Sequence, residues 1–312
     1  MNNSTHDNYG YPEGGKRVSG GQRSSGQRSE GQPRRRRKRK KSRALYYVIL
    51  VILLGVLVFS AVKIISYFKQ QADAADAQKN AQQFITPGTS DNTGDGDSTG
   101  TDGDKTTETK QPETIDVDFD KMIAKYPDVV GYIYAANTNI NYMIQHGNGN
   151  DYYLTHDSEG NSNNNGSIFV EQLNSGSFSD GNTIIYGHNM RDGSMFGSLK
   201  KYKDDGFWKE NQYFTVYSET TAYRYRIFSY EDAVNGGDVY KVGYQPGEEY
   251  QKFIDQMIKD SDVDTGVKPQ TSNKILTLST CTGNGYSKRL AIHAVCVDAQ
   301  TTDESKLKEK GN

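Results

Sequence analysis

Residues 44 to 62, Ala-Leu-Tyr-Tyr-Val-Ile-Leu-Val-Ile-Leu-Leu-Gly-Val-Leu-Val-Phe-Ser-Ala-Val, carry no charged side chain, and the apolar character resumes after Lys63 as far as Phe68. About 20 apolar residues rising 1.5 Å each cross a hydrocarbon core of roughly 30 Å. The segment 44–68 therefore reads as a transmembrane signal anchor, with Lys63 near its far end, where the aliphatic stem lets the ammonium reach the interface. Directly before it, nine of the ten residues from Arg34 to Arg43 are Lys or Arg. Such a block holds the N-terminus in the cytoplasm by the positive-inside rule and is drawn to an anionic leaflet. Everything after about residue 69 is then expected outside the cell. A cleaved signal peptide is the competing reading, because Ala72-Asp73-Ala74 and Ala75-Asp76-Ala77 offer small-residue cleavage sites. Its apolar stretch is too long and its leading segment too extended for that reading.

The overall net charge of -2 hides this segregation, since an acidic excess further along balances the basic block. The block reads as a membrane feature and not as a nucleic-acid surface: no aromatic residues interleave it and the apolar span follows at once. Residues 1–43 are poor in aliphatic side chains and are expected to form a disordered basic cytoplasmic tail. Residues 69–112 read as an extracellular stalk and flexible linker. Lys69 to Phe84 continues helically, and Thr86 to Pro112 is dominated by Thr, Asp, Gly and Ser. As a coil, that last stretch spans on the order of 30 Å. Its Asp95-Gly96-Asp97 and Asp102-Gly103-Asp104 pairs lack the remaining ligands of a calcium loop.

From 113 to 300 the chain becomes aromatic and periodic, a single globular domain followed by a charged tail over 301–312. A short helix from Phe119 to Tyr126 is stopped by Pro127. β-type runs follow at Val129–Tyr134, Ile140–Gln145, Ser167–Glu171, Thr183–Tyr186, Tyr213–Tyr217, Ala222–Tyr230, Lys274–Thr280 and Arg289–Val297. Eight such runs separated by turn-forming residues predict a mainly β fold, a closed barrel or a sandwich. One segment departs from this period. Tyr250, Phe253, Ile254, Met257 and Ile258 recur at helical spacing after Pro246, which predicts an amphipathic helix laid against the sheet.

The chemistry concentrates in the last two runs. If the loop containing Gly283, Asn284 and Gly285 joins them directly, antiparallel pairing sets Cys281 opposite residues 288–289 and brings Arg289 to the thiol. A guanidinium there favours the nucleophilic thiolate. The same register separates Cys281 from Cys296 by roughly 20 Å, far beyond disulfide reach, so both are expected as free thiols. Cys296 shares a strand face with Leu290, Ile292 and Ala294 and reads as core. Of the histidines, His6 lies in the tail, His146 and His156 in polar loops, and His293 within a strand. His188 differs: it ends the run Asn182-Thr-Ile-Ile-Tyr-Gly187 and opens a loop, where a rigid scaffold exposes functional side chains. Asp192 offers a Cys, His, Asp triad as an alternative to a Cys, His, Arg set, which alone uses the Arg289 proximity.

These residues resemble a known family. Thr277-Leu278-Ser279-Thr280-Cys281 with Arg289 eight positions on, together with Asn182-Thr-Ile-Ile-Tyr-Gly-His188-Asn189-Met190, is similar to the sortases, most closely class B. Asn150-Asp-Tyr-Tyr-Leu-Thr-His156, Gly166-Ser-Ile-Phe169 and the helix near 247–260 extend the likeness over 113–300. The resemblance implies a closed β-barrel of about eight strands with an N-terminal helix and an extra helix before the nucleophile strand. It implies a cell-surface cysteine transpeptidase that cleaves the C-terminal sorting signal of secreted proteins and passes them to an amine of a peptidoglycan precursor or of another surface protein. Cys281, His188 and Arg289 carry over as catalytic residues, and Ser279 and Asn150 as substrate-pocket residues. No metal or organic cofactor is implied. A simple surface endopeptidase and a non-enzymatic wall-binding module are the competing readings, and the lack of a second span after Gln300 speaks against a pilus-polymerising enzyme.

Overall fold

A computed structural model describes residues 43–88, 114–281 and 287–302. The expected basic tail up to residue 42, most of the linker, the Gly283-Asn284-Gly285 loop and the tail from residue 303 lie outside the described residues. The described residues fall into two compact units, one ending at Val56 and the other beginning at Leu57.

Helix α1 covers Arg43–Gln82. Its stretch Arg43–Lys69, 27 residues, is long and apolar enough to cross a membrane, and no part of it is buried against protein. Leu, Ile, Val and Phe side chains from Leu45 to Phe68 all stand exposed, which water would penalise and a lipid phase would not. After α1, the strand β1 (Ile85–Pro87) pairs antiparallel with β2 (Ile115–Val117). Thr86 and Pro87, expected as the start of the linker, instead lie opposite Asp116 and Ile115 in this ladder.

Helix α2 (Phe119–Lys125) begins at Asp118, whose carboxylate accepts the Lys121 backbone N–H at 3.1 Å, satisfying an amide that the first helical turn leaves without a partner. Phe119 and Met122 on its inner face join Tyr126, Val129 and Tyr132 in a small cluster against the sheet.

The sheet itself is a closed barrel built from β3 (Val129–Tyr134), β4 (Asn141–Gln145), β5 (Phe169–Val170), β6 (Asn182–Tyr186), β7 (Tyr213–Tyr217), β8 (Thr221–Val234), β9 (Ile275–Cys281) and β10 (Lys288–Thr301), with a short helix α3 (Asn150–Tyr153) between β4 and β5 and another, α4 (Phe207–Glu210), before β7. Around the barrel the order is β10, β8, β7, β3, β4, β5, β6, β9. Two neighbouring pairs are parallel, β4 with β5 and β6 with β9. The predicted strands are all present, with β8 and β10 extending beyond the predicted runs because Glu231 to Val234 keep pairing with β10 and Asp298 to Thr301 with β8.

Alternation fixes two faces. Leu276, Leu278, Ile185, Leu290, Ile292 and Ala294 point into the barrel and are buried in its core. On β8 the alternation breaks: Ile227 and Tyr230 are both in that core, three residues apart. The register shift between His293 and Ala294 explains this, since Ile227 and Ser229 face adjacent residues of β10 and Phe228 is left over as a bulge. Phe228 therefore turns outward to a second cluster with Ile275 and Val295. Helix α5 (Glu248–Asp260) covers that cluster with Tyr250, Phe253, Ile254 and Met257, the helical spacing read from the sequence.

Candidate active site

The outer face of β6, β9 and β10 carries the chemistry. Strands β6 and β9 run parallel with Asn182 level with Ile275, Ile184 with Thr277 and Tyr186 with Ser279. The pairing continues past the end of β6, where the Gly187 N–H donates to the Ser279 carbonyl at 3.2 Å. Carried two positions beyond Tyr186 and Ser279, this register brings His188 level with Cys281, the last residue of β9. On the other side of β9, Cys281 is directly opposite Arg289 of β10. Cys281 thus closes β9 between Arg289 of β10 and the chain that leaves β6 toward His188, with neighbouring strands about 4.8 Å apart.

Local sequence explains how His188 leaves the barrel. A Cβ on Gly187 would press into Ile168 Cδ1 and come 2.7 Å from Phe196 Cγ, so only glycine lets the chain pass over Phe196 at the end of β6. The loop that follows is closed by an isolated bridge between Asn189 and Met195 and by the Phe196 N–H, which donates to the His188 carbonyl at 3.0 Å. The half-buried imidazole places Nε2 at 2.8 Å from the Leu154 carbonyl just after α3. A carbonyl only accepts, so Nε2 carries the hydrogen and Nδ1 is the position at which this ring takes up a proton.

Asp192, the alternative partner for His188, is directed elsewhere. Its Oδ1 accepts from the Ser194 hydroxyl at 2.6 Å and from the Ser194 N–H at 3.0 Å, and these bonds hold its carboxyl below the usual carboxylate range. Arg289 is half-buried, donates from Nη1 to the Lys288 carbonyl at 3.1 Å, and lies between Cys281 of β9 and Ala233 of β8. Beyond Ala233 a cleft of about 620 Å³ opens between β8, the 237–244 segment and α5.

One step down the same face, Ser279 is buried beneath Tyr240, with the two hydroxyl oxygens 2.9 Å apart. The Tyr240 ring stacks on that of Tyr186 at 6.2 Å. Asn150 opens α3, and its side chain bridges to the segment after β5: Nδ2 donates to Glu171 at 2.8 Å and Oδ1 accepts the Gln172 N–H at 3.0 Å. Glu171, Tyr186 and Tyr240 were not among the residues singled out from the sequence. Tyr186 had a readable signal, standing two positions before His188 on a strand and hence on the same face. Glu171 and Tyr240 had none, because their partners are 21 and 39 residues away.

Cys296, His293 and His156 take structural positions. Cys296 is a half-buried free thiol packed against the barrel core, and burial pushes it up from its ordinary pKa. His293 is fully buried, with Nδ1 at 3.0 Å from the Thr277 hydroxyl. His156 stacks on Tyr152 with ring centroids 4.1 Å apart.

Known proteins resemble this chain in sequence and fold. The family model for the Sortase domain matches residues 136–297. Sortase B of Listeria monocytogenes is 35% identical over 162 residues, a match that covers 52% of this chain and 66% of that protein. Among solved structures, Clostridium perfringens sortase B superposes with a TM-score of 0.54 at 30% identity, covering 58% of this chain and all of that one. Sortase B from B. anthracis, solved in complex with AAEK1, superposes at 0.58 and 27% identity over 75% of this chain and 99% of that one.

Proposed function

This chain belongs to the sortase family, on its class B branch, and from that premise we propose that it cleaves a C-terminal sorting signal through a thioacyl intermediate on Cys281 and transfers the protein to an amine of the cell wall or its precursor. What supports this reading is Cys281 at the end of β9, directly opposite Arg289 of β10, with His188 two residues past the end of β6 on the other side of β9.

The chemistry follows from what each group supplies. Arg289 favours the Cys281 thiolate, which attacks the carbonyl of the sorting-signal Thr; a C–S bond forms and the carbonyl oxygen takes the negative charge. The guanidinium then steadies that oxyanion, a task that the fixed fork of Arg performs better than the single ammonium of Lys. As the tetrahedral centre collapses, the C–N bond breaks and His188 delivers its proton to the leaving amine. In the second half an acceptor amine attacks the thioester, His188 takes its proton and Cys281 leaves as thiolate. The Leu154 carbonyl holds the Nε2 hydrogen in both states of the ring, so the imidazole keeps one orientation while Nδ1 gains and loses its proton. Ser279 and Asn150 line the approach for the sorting peptide. Residues 44–68 anchor the enzyme, with the basic N-terminus in the cytoplasm and the barrel outside.

Product analysis tests the reading. The full chain in detergent is incubated with quenched peptides bearing different sorting motifs, with and without an added amine, and the products are weighed by mass spectrometry. Amine-linked product that depends on Cys281 and His188 is expected. Acid product alone, whatever the amine concentration, would contradict transfer.

A further inference from the structure

Glu171 is a buried carboxylate, 8% exposed. Among the described residues no Lys, Arg or His nitrogen lies within ion-pairing distance of it. Burying an unpaired charge is costly unless donors replace the lost water. Three donors do so: the Asn150 Nδ2 at 2.8 Å and the Tyr186 hydroxyl at 2.9 Å, both to Oε2, and the Leu173 N–H at 3.2 Å to Oε1. The backbone adds two more restraints. The Glu171 N–H donates to Ile184 of β6 at 2.9 Å, and its carbonyl accepts from Asn174 at 2.8 Å.

The two side chains on Oε2 belong to the elements on either side of the site. Tyr186 is the last residue of β6, two before His188 and level with Ser279. Asn150 is the first residue of α3, and the Leu154 carbonyl just past that helix receives the His188 Nε2 hydrogen. One carboxylate oxygen thus ties α3 to β6, the two elements that together orient His188. Burial, and then the Glu171 charge itself, push the Tyr186 phenol up from its ordinary pKa, so this hydroxyl stays a donor at all physiological pH.

We infer that Glu171 is a positioning residue for the transpeptidation: through Oε2 it locks Asn150 and Tyr186 in register, and with them the wall beside Cys281 and the seat of His188. The inference rests on the transpeptidase reading above. A carboxylate with a merely structural role would raise the melting temperature and leave the rate per folded molecule alone. A positioning carboxylate acts on kcat/KM through the side chains it holds, so its effect depends on their presence.

The test is a double-mutant cycle on the full chain in detergent, with a quenched sorting peptide that the wild type cleaves and rates normalised to titrated Cys281 thiol. Glu171→Gln keeps the shape and removes one acceptor. It is expected to lower kcat/KM about tenfold, the size of one charge-assisted hydrogen bond, and to add little to the loss already caused by Asn150→Ala. Wild-type kcat/KM in Glu171→Gln with only a lowered melting temperature would overturn the inference, as would losses that simply multiply in the double variant. Should Glu171→Gln not fold, Asn150→Ala and Tyr186→Phe form a second cycle. These side chains share the same Oε2, so their effects must be non-additive, and additive effects would overturn the proposal. If the wild type cleaves no sorting peptide, the transpeptidase reading fails and this inference falls with it. If the wild type cleaves and the cycles are additive, the inference falls alone.

Discussion

Two rows of polar residues lie on the same outer face of the same strands, and both contain a histidine. The lower row joins Asn182, Thr277 and His293: the Thr277 hydroxyl donates to Asn182 Oδ1 at 2.7 Å and meets His293 Nδ1 at 3.0 Å, and all three residues are buried. The upper row, His188, Cys281 and Arg289, lies at the strand ends, with His188 and Arg289 only half-buried. Residue chemistry alone does not separate the two. What separates them is cover: the lower row is fully buried, its Thr277 hydroxyl bonded to Asn182 and His293 and its Asn182 Nδ2 to the Val239 and Lys241 carbonyls, whereas the upper row ends where the strands stop and a loop and a cleft begin. A buried polar row specifies the fold, and an open one is available to a substrate.

That contrast can be broken by substitution. The largest effect is expected in the upper row. Cys281→Ala abolishes peptide cleavage in a fluorescence assay, and His188→Ala lowers kcat/KM by about 10²–10⁴-fold, the range for a lost general acid–base. Arg289→Lys lowers turnover by at least roughly 10²-fold, the range for a lost oxyanion donor; near-normal turnover there would remove Arg289 from the chemistry. The lower row should behave differently. Thr277→Val leaves Asn182 Oδ1 and His293 Nδ1 without a donor or acceptor in a dry site, costing about 1–3 kcal/mol. Calorimetry should show a melting temperature several degrees lower, while kcat/KM per titrated thiol is unchanged. The smallest effect is expected for Asp192→Asn, because the carboxylate serves Ser194 and not His188. Its kcat/KM should stay within about twofold of wild type, as for a surface substitution, and a large loss would restore the Cys, His, Asp triad.

The comparison also shows what the sequence could reveal. Strict alternation in Ile275–Cys281 and in Arg289–Val297 was enough to place Arg289 opposite Cys281, because an antiparallel hairpin leaves one register for one loop length. The α5 face was equally readable from its helical spacing. The parallel pairing of β6 with β9 was not, since nearly 90 residues of crossover separate Tyr186, the end of β6, from Ile275, the start of β9. Without that pairing, His188 was distinguished by its position at the end of a run and by resemblance, not by its neighbours. The Phe228 bulge was hidden for a different reason: a one-residue insertion shows only as a break in period, which a run of apolar residues masks. Glu171 is the clearest case, a charged residue at the end of a short run whose role depends on partners from two distant elements.

Intact-mass analysis of the chain during turnover tests the central claim most directly. The full protein is mixed with a cleavable sorting peptide without amine, quenched in acid, digested and mapped. The account predicts a mass increase equal to the N-terminal fragment of the peptide, located on Cys281, that disappears when amine is added. Cleavage that proceeds while Cys281 stays unmodified, or an acyl group found on Cys296, would contradict it.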